Sequence, residues 1–167
     1  MSNSGHKKII VLAIGNPDRA DDGVGALIAR RLSDHLPVDV ELVVHSGDTV
    51  ALVEDWAGRD ALLCVDAANP MGEPGRIYRF EGGDAALAES ASLTSSHGFG
   101  LAEAIALARA LHALPETVVI YAVEGACFEI GAPMTAEVAA AVDVVADRIM
   151  EEVGRLRQIK TGVSSRA

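Results

Sequence analysis

An acidic pair, a single aspartate and a histidine are the residues of this sequence best suited to act together in catalysis or metal binding. Asp21 and Asp22 lie in the loop after a first apolar run. Asp66 directly follows a second apolar run, and His97 precedes a later helical pattern. If both runs are parallel strands of one open sheet, their carboxyl ends lie at the same edge, where such sheets bind ligands. The sequence therefore predicts that two carboxylates and an imidazole meet at one edge of a sheet.

The chemistry that these groups offer is metal coordination. A helix N-terminus disfavours the imidazolium ion, so His97 at the start of its helix is expected to stay neutral, which is the state that binds a metal. Two carboxylate oxygens and one imidazole are an incomplete ligand set for a divalent first-row metal, and they leave positions open for water or for ligands from a partner. We therefore expect a site that binds metal weakly by itself.

Each of these residues also has an ordinary structural explanation when it is taken alone. Asp21 and Asp22 are placed to complement the dipole of the following helix. Asp66 suits a turn or a helix cap, and a lone histidine at a helix start is more often structural than a ligand. The other histidines are interpreted as surface or loop residues: His6, His35, His45 and His112.

The sequence lacks the motifs of several other chemistries. The loop after the first apolar run has no Gly-Lys-Ser/Thr ending, and Ile28 occupies the third glycine position of a dinucleotide fingerprint begun by Gly23 and Gly25. The chain has no HExxH pair, no cysteine cluster and no Gly-x-Ser-x-Gly segment. Nucleotide binding, a resident catalytic zinc and a serine nucleophile of familiar type therefore have no support.

Apolar strands that alternate with amphipathic helices predict an α/β protein. Continuous apolar runs such as Ile9–Ile14 are typical of strands that are buried on both faces of a parallel sheet. We predict a three-layer α/β/α sandwich, in which a mostly parallel, twisted sheet of about five strands has helices on both faces. The predicted strands are Ile9–Ile14, Val38–Val44, Ala61–Val65, Arg76–Phe80 and Thr117–Val123, and the predicted helices are Gly23–Leu36, Val50–Trp56, Gly98–His112 and a last one opened by Thr135, with an irregular loop at 84–96.

Length and composition set further limits. The chain has 167 residues and a net charge of −10, and half of its residues are hydrophobic. A chain of this size buries an adequate core, so we predict a single domain over residues 1–157 and a disordered tail over residues 158–167. The acidic balance and an aromatic content of 4% argue against a nucleic-acid partner.

The sequence also indicates a cytoplasmic protein. The apolar run Ile9–Ile14 is too short for a signal peptide or a membrane span, so no membrane insertion is expected. Cys64 and Cys127 lie in apolar runs and form no paired motif. We interpret both as small buried residues in a reducing compartment.

Four segments of the chain resemble one known family. The segment Ala13–Gly25, AIGNPDRADDGVG, is similar to the N-terminal signature of the hydrogenase maturation endopeptidases, and an amphipathic helix follows it. The resemblance continues through Val65–Ala67, Gly75–Ile77 and Ser96–Leu101. It extends over most of the chain, from about residue 9 to residue 153.

The resemblance implies an endopeptidase that removes the C-terminal extension from the nickel-containing large subunit of a [NiFe] hydrogenase. The partner is then the precursor of that subunit. The family pattern implies that Asp22, Asp66 and His97 contact the metal and, with Asp21 as the neighbouring acid, form the catalytic group. Nickel would be supplied by the substrate, so no resident cofactor is expected. Either the metal or one of Asp21 and Asp22 would activate a water molecule.

The chain departs from the family pattern at two places. Ala13 stands where the family often has glycine, which exchanges one small residue for another. The loop His45–Thr49, HSGDT, matches the usual Asp-Gly-Gly-Thr loop only loosely. A substrate contact by this loop is therefore left open.

Two other functions are also compatible with the sequence. A non-catalytic chaperone would dock on the metal-loaded hydrogenase subunit without cutting it. A small-molecule hydrolase or nucleotide binder would use the same doubly wound fold, because a fold alone does not determine a function.

Overall fold

The apolar runs of the chain form a five-stranded sheet. A computed structural model describes residues 5–46, 48–82 and 101–159. Across the sheet the first strand is flanked by the second and third, the fifth follows the third, and the fourth lies at the edge as the one antiparallel strand. This arrangement confirms the predicted mostly parallel sheet. In chain order the strands are β1 (Ile9–Ile14), β2 (Glu41–His45), β3 (Ala61–Ala68), β4 (Ile77–Glu81) and β5 (Thr117–Glu124).

Helices cover both faces of the sheet, which confirms the predicted three-layer sandwich. A short 3-10 helix (Ala20–Gly23) leads into α1 (Val24–Leu32), and it is followed by α2 (Thr49–Trp56), α3 (Leu101–Ala110) and α4 (Ala136–Gln158). Helices α1 and α4 pack on one face, and α2 and α3 pack on the other. None of the helices in the described ranges is long and apolar enough to cross a membrane.

The central strands form because their side chains are apolar on both faces. Every residue of β1 and of β3 is buried. Successive side chains point to opposite faces of a strand, so Val11 packs under α1 and α4 while Leu12 packs under α2 and α3. Burial of one such side chain contributes about 1.5–3 kcal/mol. Strands β1 and β3 therefore fix the position of whatever follows their carboxyl ends.

Several predicted boundaries differ from the structure. Strand β2 begins at Glu41 instead of Val38, and α3 ends at Ala110 instead of His112. Helix α1 ends at Leu32 instead of Leu36, because the chain turns there and the N–H groups of His35 and Leu36 both donate to the carbonyl of Leu32. Strand β3 does not stop before Asp66 but continues to Ala68. The reason is that β5 extends beside it and pairs with it as far as Glu124, which lies opposite Ala68. Asp66 therefore lies inside a strand.

Some predictions fall outside the described residues. These are the irregular loop at 84–96, the first residues of the predicted helix at Gly98, and residues 160–167 of the predicted tail. Helix α4 runs through Gln158 and so overlaps the predicted tail by one residue. Thr135 precedes α4 directly, as predicted.

The two cysteines are free thiols. Cys64 is buried in β3, as predicted, and burial together with the nearby charge of Asp66 raises the pKa of its thiol well above the usual value. Cys127 is only half-buried, so the prediction is wrong there. The reason is that Cys127 lies in the loop after β5, not in the sheet.

The order of the strands reverses between β1 and β3. From β1 the chain passes through α1 to β2 on one side, and then through α2 to β3 on the other side of β1. In open α/β sheets the usual ligand site lies at the carboxyl ends of the two strands that flank such a reversal. Here these are the ends of β1 and β3.

Candidate functional site

The loop after β1 folds back so that the backbone of Asp22 lies directly against Gly15. Gly15 has a φ angle of 147°, and a Cβ atom built on it would lie 2.1 Å from the backbone oxygen of Asp22. Its N–H donates a 2.9 Å hydrogen bond to the carbonyl of His45 at the end of β2. A residue with a side chain does not fit here, so glycine brings Asp22 against the end of β1.

Asp22 is a buried carboxylate at the carboxyl edge of the sheet. Its exposed fraction is 0%. Its Oδ2 accepts a 3.0 Å hydrogen bond from the backbone N–H of Asn16 and lies 4.0 Å from a guanidinium nitrogen of Arg19. These contacts hold the carboxylate over the end of β1, as the sequence predicted for the loop that contains it.

Asp66 is the corresponding buried carboxylate of β3, with an exposed fraction of 1%. Its Oδ1 accepts a 2.8 Å hydrogen bond from the N–H of Ala67. Ala13 of β1 pairs with Val65, so the end of β1 lies directly beside Asp66. By strand alternation Asp66 shares a face with Cys64, which packs under α2 and α3. Asp66 inside β3 and Asp22 in the turn after β1 thus both lie on the carboxyl side of the sheet, beside the reversal point.

The third predicted metal contact, His97, lies outside the described residues. The described part of helix α3, Leu101–Ala110, packs on the sheet face that carries Asp66. Within the residues that the structure describes, no three His, Cys, Asp or Glu side chains are grouped closely enough to hold a metal ion. The meeting of His97 with the two carboxylates therefore stays a prediction.

Asp21 makes contacts that differ from those of its neighbour. It is fully buried, and its Oδ2 accepts hydrogen bonds from the N–H groups of Ala126 and Cys127 at 2.8 and 3.0 Å. Its Oδ1 accepts a 2.8 Å hydrogen bond from the N–H of Thr135. Burial raises the pKa of Asp21, but the backbone hydrogen bonds and the Thr135 hydroxyl outweigh it, so the pKa is lowered. Asp21 is held as a carboxylate against the loop after β5.

Glu124 is a buried carboxylate at this edge that the sequence analysis missed. It is the last residue of β5 and has an exposed fraction of 0%. Its Oε1 accepts hydrogen bonds from the N–H groups of Met71 and Glu73, both at 2.7 Å, and its Oε2 accepts one from the Tyr78 hydroxyl at 3.2 Å. The rule that pointed to Asp66, a polar residue where an apolar strand ends, applies equally to Glu124.

The contacts of Glu124 predict a loss of stability in acid. Burial raises the pKa of Glu124. The hydrogen bonds from Glu73, Met71 and Tyr78 and the charge of Arg76 lower this pKa by more than burial raises it, so the folded pKa lies below the usual value of 4.5. A lowered folded pKa stabilises the fold above the unfolded pKa, and this contribution disappears as the pH falls through the folded value. Glu124→Gln should therefore be less stable than the wild type at about pH 7 and lose that difference near about pH 3. Urea unfolding of both proteins at the two pH values measures it, and a difference independent of pH would contradict the assignment.

His45 was interpreted as a surface or loop residue, and the structure corrects this. It ends β2, is half-buried, and its Nε2 lies 2.8 Å from Oδ2 of Asp55 in α2. The pair ties the end of β2 to the helix that leads to β3. Nothing in the local sequence indicates this contact, because it depends on how α2 packs against the sheet.

The chemistry that Asp22 and Asp66 offer is that of carboxylate oxygens, which bind divalent metals. Asp22 offers them from the turn after β1, and Asp66 from the last part of β3. Each of them accepts a hydrogen bond from a backbone N–H group, which fixes the position of the side chain. A divalent metal at this point would have ligand positions left for another molecule.

Comparison of the sequence with known families gives one match. The sequence model of a family described as hydrogenase maturation protease matches residues 28–152, about three quarters of the chain. Among curated proteins, none matches the chain significantly.

Comparison of the fold with solved structures gives several matches of the same kind. The hydrogenase maturating endopeptidase HybD from Escherichia coli is 24% identical with a TM-score of 0.79, and the match covers 89% of this chain and 93% of that one. The [NiFe] hydrogenase maturation protease HybD from Thermococcus kodakarensis is 22% identical with a TM-score of 0.71, over 87% and 99% of the two chains. HycI from Thermococcus kodakarensis KOD1 is 22% identical with a TM-score of 0.65, over 90% and 95%. At these identities the structural matches support the fold.

Proposed function

Because this chain belongs to the hydrogenase maturation protease family and is therefore an endopeptidase, we propose that it cuts the precursor of a [NiFe] hydrogenase large subunit after nickel has been inserted. The cut removes the C-terminal extension of that precursor. The observation that supports this proposal is the pair of buried carboxylates, Asp22 in the turn after β1 and Asp66 in the neighbouring strand β3, beside the reversal point of the sheet. A site of this kind suits a metal ion that a second polypeptide brings.

We propose Asp22, Asp66 and His97 as the residues that contact the substrate's nickel. Each of the two carboxylates is fixed in place by a hydrogen bond from a backbone N–H group. The described part of α3 starts at Leu101, four positions after His97 in the sequence, and packs on the face that carries Asp66, which favours an imidazole at the same edge. Three protein ligands leave room for the ligands by which the precursor holds its nickel.

Hydrolysis then needs a water molecule and a group that accepts its proton. Nickel held at this point acts as a Lewis acid for the water or for the scissile carbonyl. Asp22 is the carboxylate of the acidic pair that lies at the sheet edge, so it is placed to accept the proton. Asp21, predicted with it as a catalytic residue, accepts hydrogen bonds on both oxygens, and we therefore propose that it supports the site instead of acting as the base.

Metal recognition would make cleavage selective for the loaded precursor. A precursor without nickel lacks the ligand bridge to Asp22 and Asp66, so its scissile bond is not held near the catalytic groups. Positioning of the reacting groups lowers the barrier of a bimolecular reaction by several kcal/mol, about 7–11 in well-oriented cases. Binding of the nickel would thus both recognise the precursor and restrict cleavage to precursors that have received their metal.

The test is cleavage of matched precursors by the purified protein. We expect mass spectrometry to show loss of the C-terminal extension from the nickel-loaded precursor and not from the metal-free precursor. A related endopeptidase that removes the extension serves as the positive control. If that control cleaves the loaded precursor while this chain leaves it intact, the proposal is wrong for this pair of proteins.

The proposal includes a cytoplasmic location and no cofactor of the enzyme's own. Both cysteines are free, which suits a reducing compartment. Nickel enters the site as part of the substrate, so the purified chain should need no added metal once the precursor is loaded.

A further inference from the structure

We propose that Thr135, acting through Asp21, is a positioning residue for Asp22. The inference rests on the proposed function, because it concerns the geometry of the carboxylate that is assigned to the substrate's nickel. Its basis is a set of hydrogen bonds that joins the acidic turn after β1 to the first residues of α4, far away in the chain.

The first observation is that Thr135 uses its hydroxyl on Asp21. Thr135 Oγ1 lies 2.9 Å from Oδ1 and 3.0 Å from Oδ2 of Asp21, so its proton is shared between the two oxygens. The N–H of Thr135 donates to the same carboxylate at 2.8 Å. Together with Ala126 and Cys127, three residues of one segment converge on this buried side chain.

The second observation is what Thr135 does not do for its own helix. Thr135 is the N-cap residue of α4, where a threonine ordinarily accepts a hydrogen bond from the first turn. Its side chain makes no such bond with the first turn of α4, all of which the structure describes. Helix α4 therefore lacks the stabilising side-chain cap, and the Thr135 hydroxyl donates to Asp21 in the acidic turn instead. A local rule that is broken without local gain is typical of functional sites.

The turn that carries Asp21 and Asp22 needs such support. Ala20 has a positive φ of 49°, a conformation that residues other than glycine rarely adopt. The N–H of Asp21 donates to the carbonyl of Cys127 at 3.0 Å, and the N–H of Gly131 donates to the carbonyl of Asp18 at 2.8 Å. A strained backbone persists only when its surroundings hold it in place.

The support is rigid because α4 is firmly packed. This helix is 23 residues long and buries Val138, Val142 and Val145 against the sheet. Asp21 and Asp22 are consecutive residues of the 3-10 helix, so a shift of Asp21 moves the backbone of Asp22 directly. Residues that orient a metal ligand commonly change metal affinity about 10–100-fold when they are mutated.

The test compares Thr135→Val with Thr135→Ser. Valine keeps the volume of threonine and removes the hydroxyl, whereas serine keeps the hydroxyl. Glu152→Gln is the matched control, since it breaks a distant buried cluster in which Glu152 binds Arg79 and Tyr121. The measurements are the affinity of the purified protein for Cd²⁺ by calorimetry, cleavage of the nickel-loaded precursor, and the thermal midpoint.

We expect Thr135→Val to weaken Cd²⁺ binding and to slow cleavage, each about tenfold, and Thr135→Ser to restore both to within about twofold of the wild type. Glu152→Gln should lower the thermal midpoint without changing either measurement. A folded Thr135→Val protein with wild-type affinity and cleavage, or a Glu152→Gln protein with the same losses, would overturn the inference.

The outcomes for the wild type separate this inference from the proposed function. If the wild type leaves the precursor intact but binds Cd²⁺ more tightly than Thr135→Val does, the proposed function fails and the positioning role stands. If the wild type cleaves the precursor and Thr135→Val cleaves it equally well, only the positioning role fails. If the wild type neither binds Cd²⁺ nor cleaves, both fail.

Discussion

Asp22→Asn should lower the rate of cleavage of the nickel-loaded precursor by at least about 100-fold while the protein stays folded. The exchange keeps the shape of the side chain and removes its charge. The amide still offers an oxygen to the N–H of Asn16, which now donates to Oδ2 at 3.0 Å, so the loop after β1 retains its hydrogen bond. What is lost is the anionic ligand for nickel and the acceptor for the proton of the attacking water.

The control for this prediction is Asp18→Asn in the same loop. Asp18 is exposed, whereas Asp22 is fully buried. Both exchanges remove one negative charge from the same surface region, so a general electrostatic effect on substrate approach would appear in both. Rates are followed by mass spectrometry of the released peptide. Cleavage by Asp22→Asn within about fivefold of the wild type would contradict the assigned role.

Unchanged cleavage with weakened complex formation would point to a different function. It would favour the chaperone hypothesis, in which Asp22 contributes to docking alone. Co-purification of the variant with the nickel-loaded precursor measures this directly. The two readouts together therefore separate an enzyme from a binding protein.

The second large effect is expected on folding, from Gly15→Ala. The added Cβ would lie 2.1 Å from the backbone oxygen of Asp22, and a φ of 147° is unfavourable for alanine. Backbone atoms cannot move aside as a flexible side chain does, so β1 and the acidic turn must separate. We expect the free energy of unfolding to fall by about 4 kcal/mol or more, which is rare for a single exchange and diagnostic of such a clash.

Gly58→Ala is the matched control for the glycine prediction. Gly58 also has a positive φ, of 74°, but a Cβ built on it meets nothing within 4 Å. Its cost should be limited to the backbone strain, about 1–2 kcal/mol. Urea unfolding of the three proteins gives the difference. Equal losses for the two variants would mean that the close approach at Gly15 relaxes without cost.

The strands and the position of the site were predictable because they depend on local patterns. Continuous apolar runs identified β1 and β3, and the rule for the carboxyl ends of parallel strands then brought Asp22 and Asp66 to one edge. The extension of β3 through Asp66 was not predictable, since it depends on pairing with β5, which is distant in the sequence. Strand existence is a local property, whereas strand length is set by the partner.

The contacts of Asp21 could not be read from the sequence for a related reason. Two adjacent acidic residues look alike in a sequence, but in a 3-10 helix their side chains point in different directions. The donors to Asp21 lie 105 to 114 residues further along the chain, at Ala126, Cys127 and Thr135. The positions of the loop after β5 and of the start of α4 together decide which acid of the pair is held in this way.

The site draws on both helical layers. Asp66 lies on the face that packs under α2 and α3, whereas Asp21 is tied to the start of α4 on the opposite face. A growing polypeptide that has not yet released α4 from the ribosome therefore lacks the segment that fixes the acidic turn. The native geometry of the acidic turn should thus form late in folding, after both faces of the sheet have been covered.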